Sequence, residues 1–336
     1  MNPLPPVQLT FFTELEEGPL VALFSEPDVV ARLVELNARV SMGIMDLSEE
    51  RAAVVRRLNE AGIPLVAWQL LPKEKGYWYH LGNANDAVAH YLKFHEWSIE
   101  EGLAWDAVGI DIEPDLNEIQ QLLKSRLGVL SRFARRLWNK QAFAESCAEY
   151  ASLVARMRAD GYAVHSYEFF FMTDERRVGS SLLARLFGIA DVPADKRVAM
   201  LYSSFFRPMG VGLLGVYAEK VDSVAVGITG GGVELEGLEH KTPMSWEELS
   251  RDLGIANRCH SEVHIFSLEG CVEQGYLARL STFDWSRETH CPLHWKALLT
   301  VTRFVALGLL WALANLKFVI VAAAVVALLM LVVFSG

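Results

Sequence analysis

The stretch Asp106-Ala107-Val108-Gly109-Ile110-Asp111-Ile112-Glu113-Pro114-Asp115 decides how this chain folds. A strand sends alternate side chains to opposite faces. Val108, Ile110 and Ile112 therefore point one way, and Gly109, Asp111 and Glu113 the other. In a barrel the apolar set packs beneath outer helices and the carboxylates point inward, near the C-terminal end of the strand, where barrel active sites form. Two acids on an inner face are costly unless paired or hydrogen-bonded, and packing alone gives no reason for them. Glu113 at the mouth, with a carboxylate two residues back, suits a general acid whose pKa its neighbour raises.

Working outward, short β-rich apolar runs recur at Leu20–Phe24, Val40–Met45, Leu65–Leu70, Ala107–Ile112, Ala163–Phe169, Val198–Tyr202, Ser223–Ile228 and Glu262–Leu268. Helical stretches lie between most of them. Those over residues 49–61, 84–101 and 142–160 run into Gly62, Gly102 and Gly161, a C-terminal stop signal, and Ser245 with Glu248 three residues on forms a capping box. Eight strands with helical connections predict a (β/α)8 TIM-like barrel; the long gap after the fourth strand keeps a doubly wound open sheet as the alternative. No Gly-x-Gly-x-x-Gly follows the first strand, which weakens a nucleotide-binding reading. Gly230-Gly231-Gly232 reads as a flexible loop, or an anion cradle.

The decisive stretch resembles the fourth-strand signature of the family 18 glycoside hydrolases, the chitinase-like barrels, Asp-Gly-x-Asp-x-Asp-x-Glu. Asp106 matches its first position, Asp111 its third Asp and Glu113 its terminal Glu, while Ala107 replaces the first Gly and Gly109 the middle Asp. Met200-Leu201-Tyr202 is similar to the family's Met-x-Tyr on the sixth strand. The resemblance implies a carbohydrate-active barrel with Glu113 as general acid/base, Asp111 orienting it and Tyr202 touching the reacting sugar. That family's inward Asp pair orients an acetamido group, so Gly109 supports a carbohydrate-active barrel better than a chitinase.

Other strand ends supply further candidates. Asp46, Glu168 and Glu269 could each be a second carboxylate of a glycosidase pair, or a surface or loop acid. Trp68 and Gln69 end the third strand and Tyr77-Trp78-Tyr79-His80 follows, so aromatics at the mouth would suit stacking on sugar faces, or loop packing. His165 and His264 read as structural and lie opposite Glu168 and Glu269. Reading Glu113 and Asp115 as ligands of a hard cation would give a phosphodiesterase, but the expected first strand carries no His for it. No metal or other cofactor is expected.

The chain has 336 residues and a net charge of −10, which argues against a nucleic-acid partner. Cys147, Cys259, Cys271 and Cys291 form no Cys-x-x-Cys pair and read as isolated thiols. Met1 to Phe12 lacks the features of a signal peptide. Residues 291–336 differ from the barrel expected over 1–290. Phe304 to Leu316 is apolar, Lys317 intervenes, and Phe318 to Phe334 is uncharged, so the tail predicts a single transmembrane helix with an interfacial lead-in, or a hairpin turning at Asn315. Lys296, Arg303 and Lys317 all precede the span, which places the soluble domain in the cytoplasm. The basic segment from Lys124 to Lys140 reads as an amphipathic helix on an anionic membrane, or as an outer barrel helix. The expected partners are thus a carbohydrate or glycolipid substrate and membrane lipid. The expected function is that of a membrane-anchored glycosidase-like hydrolase, or of a non-catalytic barrel that binds a saccharide or a protein at the membrane.

Overall fold

The computed structural model describes residues 7–124, 126–232 and 242–321. Among them, eight parallel strands close into a barrel: β1 (Gln8–Thr13), β2 (Arg39–Ile44), β3 (Leu65–Gln69), β4 (Ala107–Asp111), β5 (Ala163–Phe169), β6 (Lys196–Met200), β7 (Ser223–Gly227) and β8 (Glu262–Phe266). Each pairs with the next, and β8 returns to β1 through Gln8–Glu262 to Phe12–Phe266. The fold is therefore a TIM-like barrel, not an open sheet.

Alternation along the strands separates two interiors. Outward residues such as Leu9, Phe11, Val40, Leu65, Val263 and Ile265 pack under the helices on one side, and Val108, Ile110 and Ile112 pack with Tyr91, Phe94, Tyr150 and Val154 on another. Phe12, Trp68, Tyr167, Val198, Met200, Ala225 and Phe266 fill the barrel itself. The long gap after β4 holds three helices, Leu116–Lys124, Arg126–Trp138 and Lys140–Ala159. The last of them stops at Gly161, whose φ of +98° only glycine adopts readily. Ser245 and Glu248 form the capping box at the start of helix Trp246–Asn257.

One strand differs from the sequence reading. Leu20–Phe24 lies in a helix, Glu17–Ser25, and the first strand is Gln8–Thr13. The burial pattern gives the reason: Leu20, Leu23 and Phe24 are buried while Ala22 is exposed, which is helical spacing rather than alternation.

Charge closes the N-terminal end of the barrel. Inside it, Glu262 accepts hydrogen bonds from Arg39 Nη1 at 2.8 Å, from Thr10 Oγ1 at 3.2 Å and from Lys196 Nζ, with His264 Nε2 3.4 Å away. The carboxylate is half-buried and neutralised by two cations, the condition under which a charge away from water is tolerated. The two mid-strand histidines, His165 and His264, belong to this plug region, where burial holds both below the usual histidine range.

The helix Leu293–Ala314 is, among the described residues, long and apolar enough to cross a membrane by length and composition. Its first half docks on the barrel helices. Gly212 and Gly215 let it approach closely, since a Cβ there would lie 2.9 Å from Trp295 O and 2.7 Å from Cys291 Sγ. Arg303 Nε donates to Asp174 Oδ1 at 2.8 Å, and Tyr217 donates to Oδ2 at 2.6 Å. Beyond that pair, Phe304, Val305, Leu309, Trp311 and Leu313 are exposed. Asn315, the turn-type residue at the junction of the two apolar stretches, is the C-cap of this helix. Of the uncharged run 318–334, residues 322–334 lie outside the described residues. In the basic segment, Arg136 is engaged by Glu118 at 2.7 and 2.6 Å, and Trp138 is 87% exposed.

Candidate active site

A cavity of about 330 Å³ opens at the C-terminal ends of the strands. It brings together four of the sequence-derived candidates: Trp68 from β3, Asp111 and Glu113 from β4 and the residues just past it, and Tyr202 just past β6. Its walls are aromatic, with Phe12, Trp78, Tyr167, Phe169 and Phe266 among them, and Phe205 and Phe206 stand partly exposed at the rim.

Asp111 and Glu113 lie on the inner face because Val108, Ile110 and Ile112 take the outer one. Burial comes first among the causes that raise the Asp111 carboxyl well above its usual range, followed by the charges of Glu113 and Glu14. Burial and the Glu14 charge push Glu113 up to about 8, partly offset by a hydrogen bond from Asp111. Both shifts favour the protonated form, the reverse of what salt bridges do to a surface carboxylate. Trp68 sits near enough to Asp111 to favour its ionised form, but outside hydrogen-bond geometry, so Trp68 Nε1 and Asp111 Oδ1 each lack a protein partner. Both residues line the cavity, but these two atoms are buried beneath its surface. Burial, then the charges of Asp111 and Glu113, raise the Tyr202 phenol well above its usual range, so its hydroxyl keeps a proton to donate.

Gly109 explains the departure from the family motif. A Cβ at this position would lie 2.6 Å from Tyr167 Oη, and the Tyr167 hydroxyl is 2.7 Å from Ser41 Oγ. The space that an Asp would need is filled by Tyr167.

The remaining candidates stand elsewhere. Glu168 does not face the cavity: on β5 the inward residues are His165, Tyr167 and Phe169, and Glu168 lies beneath the helices with Arg176 donating to both its oxygens at 2.7 and 2.6 Å. Asp46 is paired with the fully buried Arg51 at 2.7 Å and accepts from Ser48, and these contacts outweigh burial to hold its pKa low. Gln69 points outward, buried, with Nε2 3.5 Å from Ala67 O. Glu269 does not end a strand. β8 stops at Phe266, Ser267 caps helix Leu268–Glu273, and Glu269 sits in its first turn against Gly231, beside the cavity lining, with burial raising its pKa. Asp115 accepts from Asn117 N at 2.8 Å and faces His80 at 3.8 Å. Among the described residues no cluster of three His, Cys, Asp or Glu is placed to hold a metal ion.

Sequence reasoning missed Glu14; it placed Tyr77 among the mouth aromatics and read the 230–232 glycines as a flexible loop or an anion cradle. Glu14 directly follows β1 and lines the cavity, with Tyr77 donating a hydrogen bond to its Oε1. Gly231 and Gly232 line it too, with φ of +71° and +89°. A correctly placed first strand would have put Glu14 at a strand's C-terminal end, the position that marked Glu113.

No protein-family model matches the chain, and no curated protein matches it. Solved structures similar to it include the PgaB (BpsB) glycoside hydrolase domain from Bordetella bronchiseptica, at 10% identity and a TM-score of 0.47, covering 82% of this chain and 97% of that one. A xylose isomerase domain protein from Planctomyces limnophilus is similar at 11% identity and a TM-score of 0.45, covering 83% and 95%. L-ribulose 3-epimerase is similar at 12% identity and a TM-score of 0.42, covering 94% and 97%. These neighbours are named for sugar chemistry, but at such similarity they assign neither substrate nor reaction to this chain. The resemblance to family 18 enzymes rests on its motifs alone, those at β4 and β6.

Proposed function

We propose that this cavity cleaves a glycosidic bond in a glycan or glycolipid, with Glu113 as the general acid. The observation that carries the reading is a carboxyl group at the C-terminal end of a barrel, inside an aromatic-walled cavity, whose burial and carboxylate neighbour raise its pKa to about 8. Glu113 gives its proton to the glycosidic oxygen as the bond to the anomeric carbon breaks. Asp111 donates a hydrogen bond to Glu113, orients it and adjusts its basicity. Tyr202 donates to a sugar oxygen, and Trp68 and Trp78 offer faces for the apolar side of a ring.

The exposed apolar half of helix Leu293–Ala314, with the uncharged run that follows it, supports anchoring in a membrane. The lysines and arginines that precede it support a cytoplasmic barrel. The test is turnover of aryl glycosides and glycolipids by the full chain in detergent, beside Glu113→Gln. The variant should lose about 10²- to 10⁴-fold in kcat/KM, the usual contribution of a general acid. Unchanged turnover by the variant would remove Glu113 from the mechanism.

A second reading, a non-catalytic saccharide-binding barrel, is favoured by one observation, the replacement of an inward acid by Gly109 with Tyr167 in its space. Saccharide binding that is retained in Glu113→Gln, with no turnover by either protein, would establish it.

A further inference from the structure

A glycosidase of the ordinary two-carboxylate kind needs a negative group on the far side of the anomeric carbon from its acid. Of the carboxylates near the mouth, Glu168 is committed to Arg176, Asp46 to Arg51 and Asp115 to a helix start, and Glu269 stands outside the lining. Asp111 ends the strand that Glu113 follows, so the two carboxyls stand on one wall. Glu14 alone among these both comes from another wall and lines the cavity. It follows β1, three places from β4 in a ring of eight, and lines the same cavity.

We infer that Glu14 is the second catalytic carboxylate, and that the reaction therefore does not depend on a 2-acetamido group in the substrate. This rests on the glycosidase reading of the cavity. Two independent features prepare Glu14 for the role. The Tyr77 hydroxyl donates to its Oε1, and Tyr77 is held for this by an uncommon backbone. Its φ is +66°, a genuine outlier for a bulky side chain, and Leu71 N bonds its carbonyl at 2.7 Å. On the other side of the carboxylate, Gly232 brings the backbone close to Oε2, where a Cβ would already be in van der Waals contact at 3.5 Å. A donor on one oxygen and close backbone beside the other hold the carboxylate where it lines the cavity.

The chemistry balances with the two acids alone. The Glu113 proton passes to the glycosidic oxygen, which leaves as an alcohol with the electrons of the broken bond. Glu14 then takes a proton from water as the water oxygen bonds to the anomeric carbon, or bonds to that carbon itself and is released by water in a second step. Because the protein supplies the carboxylate, the sugar need not supply a neighbouring carbonyl. Hexosides with a free 2-hydroxyl are the substrate class.

The test compares full-length wild type, Glu14→Gln, Glu14→Ala and Tyr77→Phe on matched aryl glycosides bearing a 2-hydroxyl or a 2-acetamido group. Folding of each is checked by thermal melting. Glu14→Gln and Glu14→Ala should lose about 10²- to 10⁴-fold in kcat/KM. Azide should restore turnover in Glu14→Ala and yield a glycosyl azide, a result that a merely structural glutamate would not give. Tyr77 acts as a positioning residue. Tyr77→Phe should move the acidic limb of the pH profile upward, because it removes a donor that favours the charged carboxylate. Folded Glu14 variants within tenfold of wild type, alongside an inactive Glu113→Gln, would overturn the inference while sparing the glycosidase reading. So would cleavage confined to 2-acetamido sugars. Absence of turnover of every glycoside by wild type would overturn both.

Discussion

Gly109→Ala should destabilise the barrel far beyond what one methyl group usually costs. The new Cβ would lie 2.6 Å from Tyr167 Oη and 2.7 and 2.9 Å from two ring carbons, so the ring must move. It is poorly placed to do so. Its hydroxyl is 2.7 Å from Ser41 Oγ, and its edge packs against Phe12 at a centroid distance of 4.7 Å and Trp68 at 6.1 Å. Overpacking of this kind costs about 1–3 kcal/mol. Losing the buried hydrogen bond adds about 0.5–1.5 kcal/mol. The expected penalty is then about 2–4 kcal/mol, a large share of a typical stability of about 5–15 kcal/mol. Urea unfolding of the full chain, followed by tryptophan fluorescence, measures it. Tyr167→Ala is itself costly, about 3–5 kcal/mol for a large aromatic, but it empties the contested space. In that background Gly109→Ala should cost less than about 1 kcal/mol, leaving a coupling of about 2 kcal/mol. Simple additivity, or a neutral Gly109→Ala, would refute the claim that Tyr167 is what forbids an acid at this position.

Two further outcomes follow from the electrostatics. Activity should fall as pH rises through about 8, where the Glu113 carboxyl loses its proton, and Glu113→Gln should abolish that limb. The same shift carries a stability sign. The folded state holds a proton that the unfolded chain releases near 4.5, so this group's stabilisation is full below that pH and is lost as pH rises to about 8; the urea midpoint of wild type measured relative to Glu113→Gln should therefore fall across this range, the buried histidines contributing equally to both. Arg51→Ala should cost about 3–5 kcal/mol, because it strips a fully buried cation from Asp46 and from the Gly43 and Leu15 carbonyls. Any glycoside turnover by Asp46→Asn should match that of wild type, since Asp46 faces Arg51 and not the cavity; a selective loss of kcat in that variant would contradict its placement.

What was legible in the sequence depended on where the information resides. Seven strands could be read because β-rich runs alternate with helices that end at glycine, and the direction of Asp111 and Glu113 followed from the apolar set opposite them. The first strand could not. Gln8–Thr13 is buried on almost every residue and carries little polar alternation, whereas Leu20–Phe24 has the density of a strand but the spacing of a helix. That one exchange hid Glu14, since an acid is recognised as a mouth residue only once the strand beneath it is placed. Glu168 shows a different limit. A carboxylate can occupy the outer face of a barrel strand when a cation reaches it from the covering helix, and Arg176 lies eight residues further on, where no strand periodicity points to it. Asp46 was the opposite case. Arg51 and Ser48 are close neighbours in sequence at the start of a helix, so an ion pair that consumes the acid was readable from the same residues that nominated it. Site residues are therefore recoverable from one sequence where strand alternation fixes their direction. They are lost where a partner from a distant segment decides whether the charge is free to act.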